Sequence, residues 1–473
     1  MYKLYPYITN DGSVGLYSPS DKDIYHSVTG AATEAYEKFI FPVNLSEYIL
    51  SHDSIRVLDI CYGIGYNSKS FLNFIFQNYL KNFSQNYINC GKILSVYNDK
   101  IHTDNKNNTR YNEPIHIDNN LSEFDASCNE EIYGDKIIQD SALKKLHERV
   151  RKKISDKNFK IYIKAIDTDK NLGYLSPFIS GKLNNKKIEK IKKNDKSKNT
   201  PQNPYNLPDL RINNFKHPIP DCYLEYSYPI NKVILDSIIN NNNEILSDKE
   251  FMSIINDKNY KEYFSEETLA LYSHYQFKMG INGGKIDFRS FLHNIYYKYL
   301  SIRHKMGLKT FNLANVDFNL KINDARLELL ADKNTYNFVF LDGFTPSKCP
   351  CLWTIDFLKL IKDHLDNDGI LLTYSSAAPV RNALFELGFE VGKIINPVSG
   401  ESCGTIAAKK SKYIKKHLSE SDLDLLKTRA GIFYRDENLS APNEAIIAAR
   451  EEEVKNSDLI STTQYKKQQE NYE

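Results

Sequence analysis

The stretch Asn337-Phe-Val-Phe-Leu-Asp342-Gly343-Phe344-Thr-Pro346-Ser-Lys348-Cys-Pro350-Cys-Leu-Trp353-Thr354 is the most informative part of this chain. An apolar run ends in an acid and a glycine, a proline-rich loop follows, and then comes the only tryptophan. Open α/β sheets bind their ligands at the carboxyl edge of the strands. An apolar strand that stops at Asp-Gly therefore predicts that Asp342 lies at a ligand-binding edge.

An earlier segment has the pattern of strand, glycine turn and helix. Residues 55–60 predict a short buried strand, which runs into Cys61-Tyr-Gly63-Ile-Gly65-Tyr-Asn67. An apolar helix is predicted after it, over residues 68–80. Together these elements are typical of the opening of a nucleotide-binding α/β unit.

The remaining pattern alternates strands with helices, which predicts a mostly parallel sheet covered by helices on both faces. A hairpin is predicted over 7–17 and a turn at Asp368-Gly369. Strands are expected over 159–166, 311–322, 338–341, 370–374, 389–395 and 405–408. Helices are expected over 30–41, 141–153, 266–278, 288–304, 355–364, 377–387 and 444–454. Two stretches of low complexity, at about 82–140 and 170–300, are interpreted as insertions.

Length and composition predict a globular cytoplasmic protein. The 473 residues carry a formal net charge of only +2, and 41% are hydrophobic. No apolar run is long enough for a transmembrane helix, and the N-terminus lacks the apolar stretch of a signal peptide. The lysine-rich stretch 182–198 is interpreted as a solvated insertion in preference to a dedicated RNA-binding arm.

The seven cysteines are odd in number and scattered, which argues against a disulfide framework. No CxxC pair occurs, and the pair Cys349-Pro-Cys351 alone lacks the two further ligands of a zinc site. No metal is therefore expected.

Three acids end three predicted strands: Asp167, Asp324 and Asp342. In a doubly wound sheet, these acids and the glycine turn lie along one edge. Glycines let a ligand approach the backbone, and an acid after the second strand suits the two hydroxyls of a ribose. An acid after the third strand can accept a hydrogen bond from an adenine amino group. This pattern fits S-adenosylmethionine about as well as a dinucleotide.

Several segments together carry the residues of one family. They are Tyr25-His26-Ser27 through Gly30-Ala31 and Glu34-Ala35, Arg56-Val-Leu-Asp59 through Asn67, Asn323-Asp324-Ala325-Arg326, Leu341-Asp342-Gly343-Phe344 through Leu352-Trp353-Thr354, Thr373-Tyr374-Ser375 through Val380-Arg381, Gly388-Phe389 through Gly392, Gly404-Thr405 through Ala407, and Tyr434-Arg435-Asp436 with Leu439-Ser440. In these segments the chain resembles the methyltransferase domain of the MnmC type, found in tRNA-modifying enzymes that make 5-methylaminomethyl-2-thiouridine.

The resemblance implies a Rossmann-like, class I S-adenosylmethionine-dependent methyltransferase. It divides the chain into an N-terminal hairpin and helix (1–54), a methyltransferase domain with both insertions (55–410) and a C-terminal helical tail (411–473). The chain resembles the stand-alone methyltransferase form, without the FAD-dependent oxidoreductase domain, because no FAD-binding glycine fingerprint follows residue 410. Two departures stand out. Cys61 replaces the first glycine of the family's triplet, and Ser399-Gly-Glu401-Ser replaces basic residues before the last strand.

The implied site has three groups of residues. Cofactor contacts are expected from Glu34, Asp59, Gly63, Gly65, Asn67, Asp167, Asp324 and Asp342. Catalytic roles are expected for Asp342 and Tyr374. Contacts to the substrate or to RNA are expected from Tyr25, Phe344, Lys348 and Arg381. For His26 a structural, hydrogen-bonded role is preferred over that of a base, and for Trp353 core packing is preferred over stacking.

The implied reaction is methyl transfer to the primary amine of 5-aminomethyl-2-thiouridine in the tRNA anticodon loop, after a separate enzyme has made that amine. If the pKa of the amine is near 10.4, only about one part in a thousand is neutral at pH 7, a penalty of roughly 4 kcal/mol. A nearby carboxylate raises the pKa of an amine. The hypothesis for Asp342 is therefore that it orients the amine and takes its proton as the bond forms, with Tyr374 helping to aim the lone pair.

Two other functions fit parts of the pattern. An aminopropyltransferase of the spermidine-synthase kind also directs an amine at a sulfonium ligand, although the sequence from Asp342 to Lys348 fits it poorly. A non-catalytic RNA-binding relative is the other alternative. The glycines and all three acids argue against such decay of the site.

Overall fold

A computed structural model of the protein describes residues 4–18, 23–26, 29–77, 134–179, 181–196, 219, 221–226, 228–241, 315–396 and 399–470. The strands in these ranges are β1 (Tyr5–Ile8), β2 (Val14–Ser18), β3 (Asp23–Ile24), β4 (Ser54–Ile60), β5 (Lys160–Asp167), β6 (Val316–Ile322), β7 (Tyr336–Leu341), β8 (Leu365–Thr373), β9 (Glu390–Ile395) and β10 (Ser402–Ala408). They form a small sheet, β1-β2-β3, and a larger one ordered β6-β5-β4-β7-β8-β10-β9.

The α-helices of the described ranges lie between and after these strands. They are α1 (Ala31–Ala35), continued by a π-helical turn (Tyr36–Ile40), α2 (Leu45–Ser51), α3 (Tyr66–Ile75), α4 (Gly134–Ser155), α5 (Lys170–Leu175), α6 (Asn185–Lys196), α7 (Asp221–Leu224), α8 (Tyr228–Asn241), α9 (Ala325–Ala331), α10 (Ile355–His364), α11 (Ala378–Glu386), α12 (Glu420–Leu426), α13 (Asn443–Asn456) and α14 (Thr462–Glu470). None of them is both long and apolar enough to cross a membrane.

The larger sheet has the arrangement of a Rossmann-like methyltransferase, which confirms the expected fold. Strands β6, β5, β4, β7 and β8 pair in parallel, and β10 pairs antiparallel with both β8 and β9. Every residue of β7 is buried, as expected of a central strand with helices on both faces. The strand order reverses between β4 and β7, and ligands bind α/β sheets at such a switch point.

Two apolar clusters cover the two faces of this sheet. One contains the N-terminal hairpin with α1, α2, α3 and α8. The other contains α9, α10, α11 and α13. Trp353 belongs to the second cluster and is fully buried, so the preference for core packing at this residue is confirmed.

The predicted elements differ from the structure mainly at their ends. The turn at Asp368-Gly369 lies inside β8, where the register against β7 shifts between Tyr336 and Phe338. Gly369 makes this irregularity possible, because a Cβ there would lie 2.5 Å from Leu365 Cγ. The helix predicted over 141–153 begins at Gly134.

The second predicted insertion contains ordered secondary structure. It holds helices α5 to α8, of which α8 packs against β6. The helices predicted over 266–278 and 288–304 lie outside the described residues, as do residues 311–314 of the strand predicted over 311–322.

Candidate active site

A cavity of about 340 Å³ lies at the carboxyl edge of the sheet, at the switch point between β4 and β7. Gly63 and the three strand-end acids Asp167, Asp324 and Asp342 all line it. The convergence expected from the sequence is therefore present. The other expected site residues that line the cavity are Tyr25, Glu34, Asn67, Phe344 and Tyr374.

The glycine turn after β4 is built from left-handed backbone. Cys61, Gly63 and Gly65 have φ angles of 64°, 56° and 81°. For Cys61 this conformation costs about 1 kcal/mol relative to a glycine, and its N–H donates to the Ile166 carbonyl oxygen at 2.9 Å. The left-handed turn therefore forms although Cys61 stands where a first glycine was expected. A Cβ at Gly63 would meet no atom within 4 Å, so a ligand can reach the backbone there.

Asp167 ties this turn to the end of β5. Its Oδ2 accepts from the Gly63 N–H at 2.7 Å, and its Oδ1 accepts from the Asp169 N–H at 2.8 Å. Burial raises the pKa of Asp167 to about 6. Each oxygen keeps a lone pair for a ligand hydroxyl.

Asp324 is held by the residues that follow it in the chain. It caps α9, accepting from the Arg326 N–H at 2.8 Å, and the Arg326 guanidinium donates to both of its oxygens. The same guanidinium donates to Asp436 at 2.9 Å and to the Ala441 carbonyl oxygen at 2.9 Å. Partial burial opposes ionisation of Asp324, but the hydrogen bonds from Arg326 outweigh it and lower the pKa of this carboxyl.

Asp342 follows β7 directly. Its Oδ2 accepts a hydrogen bond from Asn67 Nδ2 at 2.9 Å. Burial, and secondly the charge of Glu34, raise the pKa of Asp342 to about 6, whereas Asn67 and Lys38 oppose this rise. This half-buried carboxyl is therefore poised to exchange a proton near neutral pH.

Glu34 reaches the cavity from α1, one turn before its ion-pair partner Lys38. The Lys38 ammonium also lies 5.5 Å from the centre of the Tyr374 ring. Tyr374, which follows β8, packs edge-on against Trp353 with ring centres 6.1 Å apart. The N-terminal helix thus brings a charge pair to the ends of β7 and β8.

Two aromatic rings meet beside the acids. The Tyr25 and Phe344 ring centres are 5.3 Å apart with planes at 47°. The Phe344 carbonyl oxygen accepts from Trp353 Nε1 at 2.8 Å, which anchors the loop that carries this ring. Lys348 is exposed on the same loop.

Four residues expected at the site do not line the cavity: Asp59, Gly65, Lys348 and Arg381. Asp59 is fully buried, accepts from the Ser68 N–H and hydroxyl at 3.2 and 2.5 Å, and has a pKa raised to about 8 by burial, so it fixes the start of α3 from behind the cavity. Gly65 shapes the turn without lining the cavity.

Arg381 also has a structural position. Its guanidinium is buried and donates to Thr405 Oγ1 at 2.9 Å and to the Gly404 carbonyl oxygen at 3.2 Å. The expectation of an RNA phosphate contact at Arg381 is wrong for this geometry, because the guanidinium joins α11 to β10.

His26 differs from its predicted role. Its ring lines the cavity and packs edge-on against Tyr66, but its Nε2 is buried and has no hydrogen-bond partner among the described residues. Burial lowers the pKa of His26 to about 4, so the ring is neutral at physiological pH.

Other lining residues were not predicted from the sequence. They are Ile24, Cys61, Tyr62, Tyr66, Ile166, Thr168, Asp169, Asn323, Ala325, Gly343, Thr345, Cys349, Cys351 and Leu352. Most are chain neighbours of a predicted site residue, and this proximity is the signal that would have found them.

The charge of the lining indicates the kind of ligand. Five carboxylates face the cavity, and no lysine or arginine lines it within the described part of the chain. Phosphate recognition relies on arginine, lysine or bound cations. This set of acceptors therefore argues against a dinucleotide and fits a ligand with hydroxyls and positive charge, as S-adenosylmethionine has.

Residues 287–411 match the model of a family described as S-adenosyl-L-methionine-dependent methyltransferase. In the described residues this segment comprises β6 to β10, and therefore Asp324, Asp342 and Tyr374.

Curated relatives match over shorter stretches. The chain is 35% identical over 161 residues to an uncharacterised protein of Methanocaldococcus jannaschii, MJ0670, a match that covers 32% of this chain and 45% of that protein. It is 36% identical over 84 residues to the tRNA 5-methylaminomethyl-2-thiouridine biosynthesis bifunctional protein MnmC of Delftia acidovorans, which covers 18% of this chain and 13% of that protein. The chain thus spans less than half the length of these relatives.

Among solved structures, MNMC2 from Aquifex aeolicus has 17% sequence identity and a TM-score of 0.46, with 97% of this chain and 87% of that chain covered. The family match and the curated relatives confirm the expected resemblance and the expected cofactor.

Proposed function

We propose that this chain, an S-adenosyl-L-methionine-dependent methyltransferase of the MnmC type, methylates the primary amine of 5-aminomethyl-2-thiouridine at the wobble position of tRNA. The observation that carries the proposal is the single cavity on which Gly63, Asp167, Asp324 and Asp342 converge. The product named in the curated relative, 5-methylaminomethyl-2-thiouridine, is the one this reaction yields.

The cofactor supplies a methyl group activated by a positively charged sulfur. In this proposal the Gly63 backbone, Asp167 and Asp324 hold its nucleoside part, since they are the expected ribose and adenine contacts. The carboxylates of Asp167, Asp324, Glu34 and Asp342 also favour the positive charge of the cofactor's sulfur.

Asp342 prepares the nucleophile. The neutral form of the amine is the nucleophile, and the half-buried carboxylate accepts a hydrogen bond from it and so orients its lone pair. As the nitrogen forms its bond to the methyl carbon and the bond from that carbon to sulfur breaks, one amine proton passes to Asp342. Tyr374 aims the lone pair. Because an in-line displacement requires no covalent enzyme intermediate, the rest of the catalytic effect comes from positioning the two reactants.

Tyr25 and Phe344 hold the uracil base. RNA readers stack unpaired loop bases on aromatic rings, and enzymes that act on a base take it out of its stack. The pair of rings lies at the cavity, and exposed Lys348 is on the same loop, where it suits a phosphate of the anticodon loop. A separate enzyme supplies the aminomethyl group.

The test is mass analysis of the wobble nucleoside. The full chain is incubated with S-adenosylmethionine and tRNA that carries 5-aminomethyl-2-thiouridine, and nucleosides are analysed before and after. Conversion to the methylaminomethyl form is expected, and Asp342→Asn is expected to lower kcat at least about 100-fold. Putrescine with decarboxylated S-adenosylmethionine, which carries the aminopropyl group, is the competing substrate pair: consumption of putrescine while the tRNA stays unmodified supports an aminopropyltransferase-like reaction and overturns the proposal.

A further inference from the structure

Two thiols lie next to each other in the wall of the cavity. Cys349 and Cys351 flank Pro350 on the loop after β7, and their sulfur atoms are 3.6 Å apart. Both side chains are partly buried, and both line the cavity. The pair therefore has access to small solutes through the same opening as the ligand.

A hydrogen bond within the pair favours a reactive thiolate at one member. The hydrogen bond from Cys349, and beyond it the positive charge of Arg326, lower the pKa of the Cys351 thiol, although burial and the negative charges of Asp324 and Asp436 oppose this. The same hydrogen bond raises the pKa of Cys349. A thiolate next to a neutral thiol is the arrangement of redox-sensitive cysteines, which carry a resolving cysteine nearby.

We propose that Cys349 and Cys351 are a peroxide-sensitive modification site, at which a reversible disulfide alters the wall of the cofactor cavity and weakens cofactor binding. This inference rests on the cofactor and does not depend on the identity of the methyl acceptor.

The chemistry is balanced by the peroxide itself. The Cys351 thiolate attacks one peroxide oxygen, the O–O bond breaks, and a sulfenic acid and water result once a proton is taken up. Cys349 then attacks that sulfur, the S–S bond forms, and the S–O bond breaks with loss of a second water. The two sulfurs together lose two electrons, and the peroxide oxygens gain them.

Formation of the disulfide between Cys349 and Cys351 moves atoms in the cavity wall. A disulfide requires a sulfur separation of about 2.05 Å, much shorter than that in the reduced pair. The loop is held on both sides, since the Cys351 N–H donates to Asn443 Oδ1 at 3.2 Å and Trp353 Nε1 donates to the Phe344 carbonyl oxygen. The displacement therefore falls on the lining segment between Phe344 and Leu352. A short ring of this kind is strained, and strained disulfides are the readily reduced ones.

The experiment treats the full chain with hydrogen peroxide and afterwards with dithiothreitol. Peptide mapping is expected to show the loss of two hydrogen atoms within the single peptide that contains both cysteines. The affinity for S-adenosylmethionine is expected to fall at least about tenfold by calorimetry and to return on reduction. These readouts need no tRNA, so their failure is distinct from failure of the proposed substrate.

Matched variants separate this pair from the other thiols. Cys349→Ser and Cys351→Ser are each expected to keep their own untreated affinity after peroxide. Cys403→Ser, which lies outside the cavity lining, is expected to lose affinity as the unmodified chain does. A disulfide to Cys61, oxidation without an S–S bond, or an unchanged affinity after disulfide formation would each overturn the proposal.

Discussion

At the scale of single residues, burial sets the proton chemistry of Asp342. Its raised pKa, about 6, means that this carboxyl, the proposed proton acceptor, is mostly ionised only above that pH. We expect kcat/KM to fall as the pH drops through about 6. Glu34→Gln removes a negative charge that raises this pKa, so the acidic limb should move to lower pH. The measurement is the pH–rate profile, and an exposed change, Glu444→Gln, should leave the limb in place.

Glu37 allows a separate test of how the burial of an acidic side chain affects the stability of the fold. Its side chain is buried and accepts from Asn396 Nδ2 at 2.8 Å, and burial raises its pKa to about 7. The folded state therefore binds the proton more tightly than the unfolded one. The stability this contributes is present below the ordinary pKa of 4.5 and is lost as the pH rises through 7.

Glu37→Gln carries no charge at either pH. The change in unfolding free energy that it causes should therefore be more stabilising at pH 8 than at pH 5, by about 1 to 3 kcal/mol. Urea unfolding at the two pH values measures this difference. Glu386→Gln, at an exposed position, is the control and should show no such difference between the two pH values. An equal effect of Glu37→Gln at both values would contradict the expectation.

At the scale of elements, sequence periodicity located most strands and helices because local rules determine them. An apolar run bounded by an acid and a glycine identified β4 and β7, and their ends formed the site. Element ends were less predictable, as at β8, where an irregular register replaced the expected turn. The second insertion was interpreted from its composition, which does not reveal that α8 packs on β6.

The glycine turn offers a test at this scale. Gly65 has a φ of 81°, and a Cβ there would collide with the Tyr62 ring. Gly65→Ala should lower the free energy of unfolding by about 3 kcal/mol, because strain and overpacking add. Gly400 has a similar φ of 74° with open space around it, so Gly400→Ala should cost only about 1 kcal/mol. Equal losses in denaturant unfolding would refute the role of the collision.

At the scale of the whole molecule, contacts between distant segments complete the site. The meeting of the strand ends was predictable from the sequence, because the topology of a parallel sheet places them at one edge. The link from Asp324 through Arg326 to Asp436 in the tail was not predictable, because a contact between residues more than one hundred positions apart leaves no local pattern in the sequence. Arg381 was wrongly expected at the RNA surface. Its burial depends on packing partners in β10, which its neighbours in the sequence do not reveal.

The tail link is testable with a matched pair of arginines. Arg326→Leu removes the ion-pair partner of the buried Asp436, which keeps only backbone N–H donors, so it should cost about 3 kcal/mol of stability and weaken binding of S-adenosylmethionine. Arg435 forms a half-exposed pair with Glu453 at 3.5 Å, and Arg435→Leu should cost less than about 1 kcal/mol. Thermal unfolding and calorimetric titration measure both. Unchanged cofactor binding in Arg326→Leu would argue against support of Asp324 by the tail.

The anchoring of Arg326 to Asp436 and Ala441 has a consequence for synthesis of the protein. A ribosome that has translated the whole larger sheet, as far as Ala408, has not yet added the residues that brace Asp324. The nascent polypeptide therefore emerges with the Asp324 edge of the cavity still lacking the contacts of Arg326 to Asp436 and Ala441, which can form only after translation has passed residue 441.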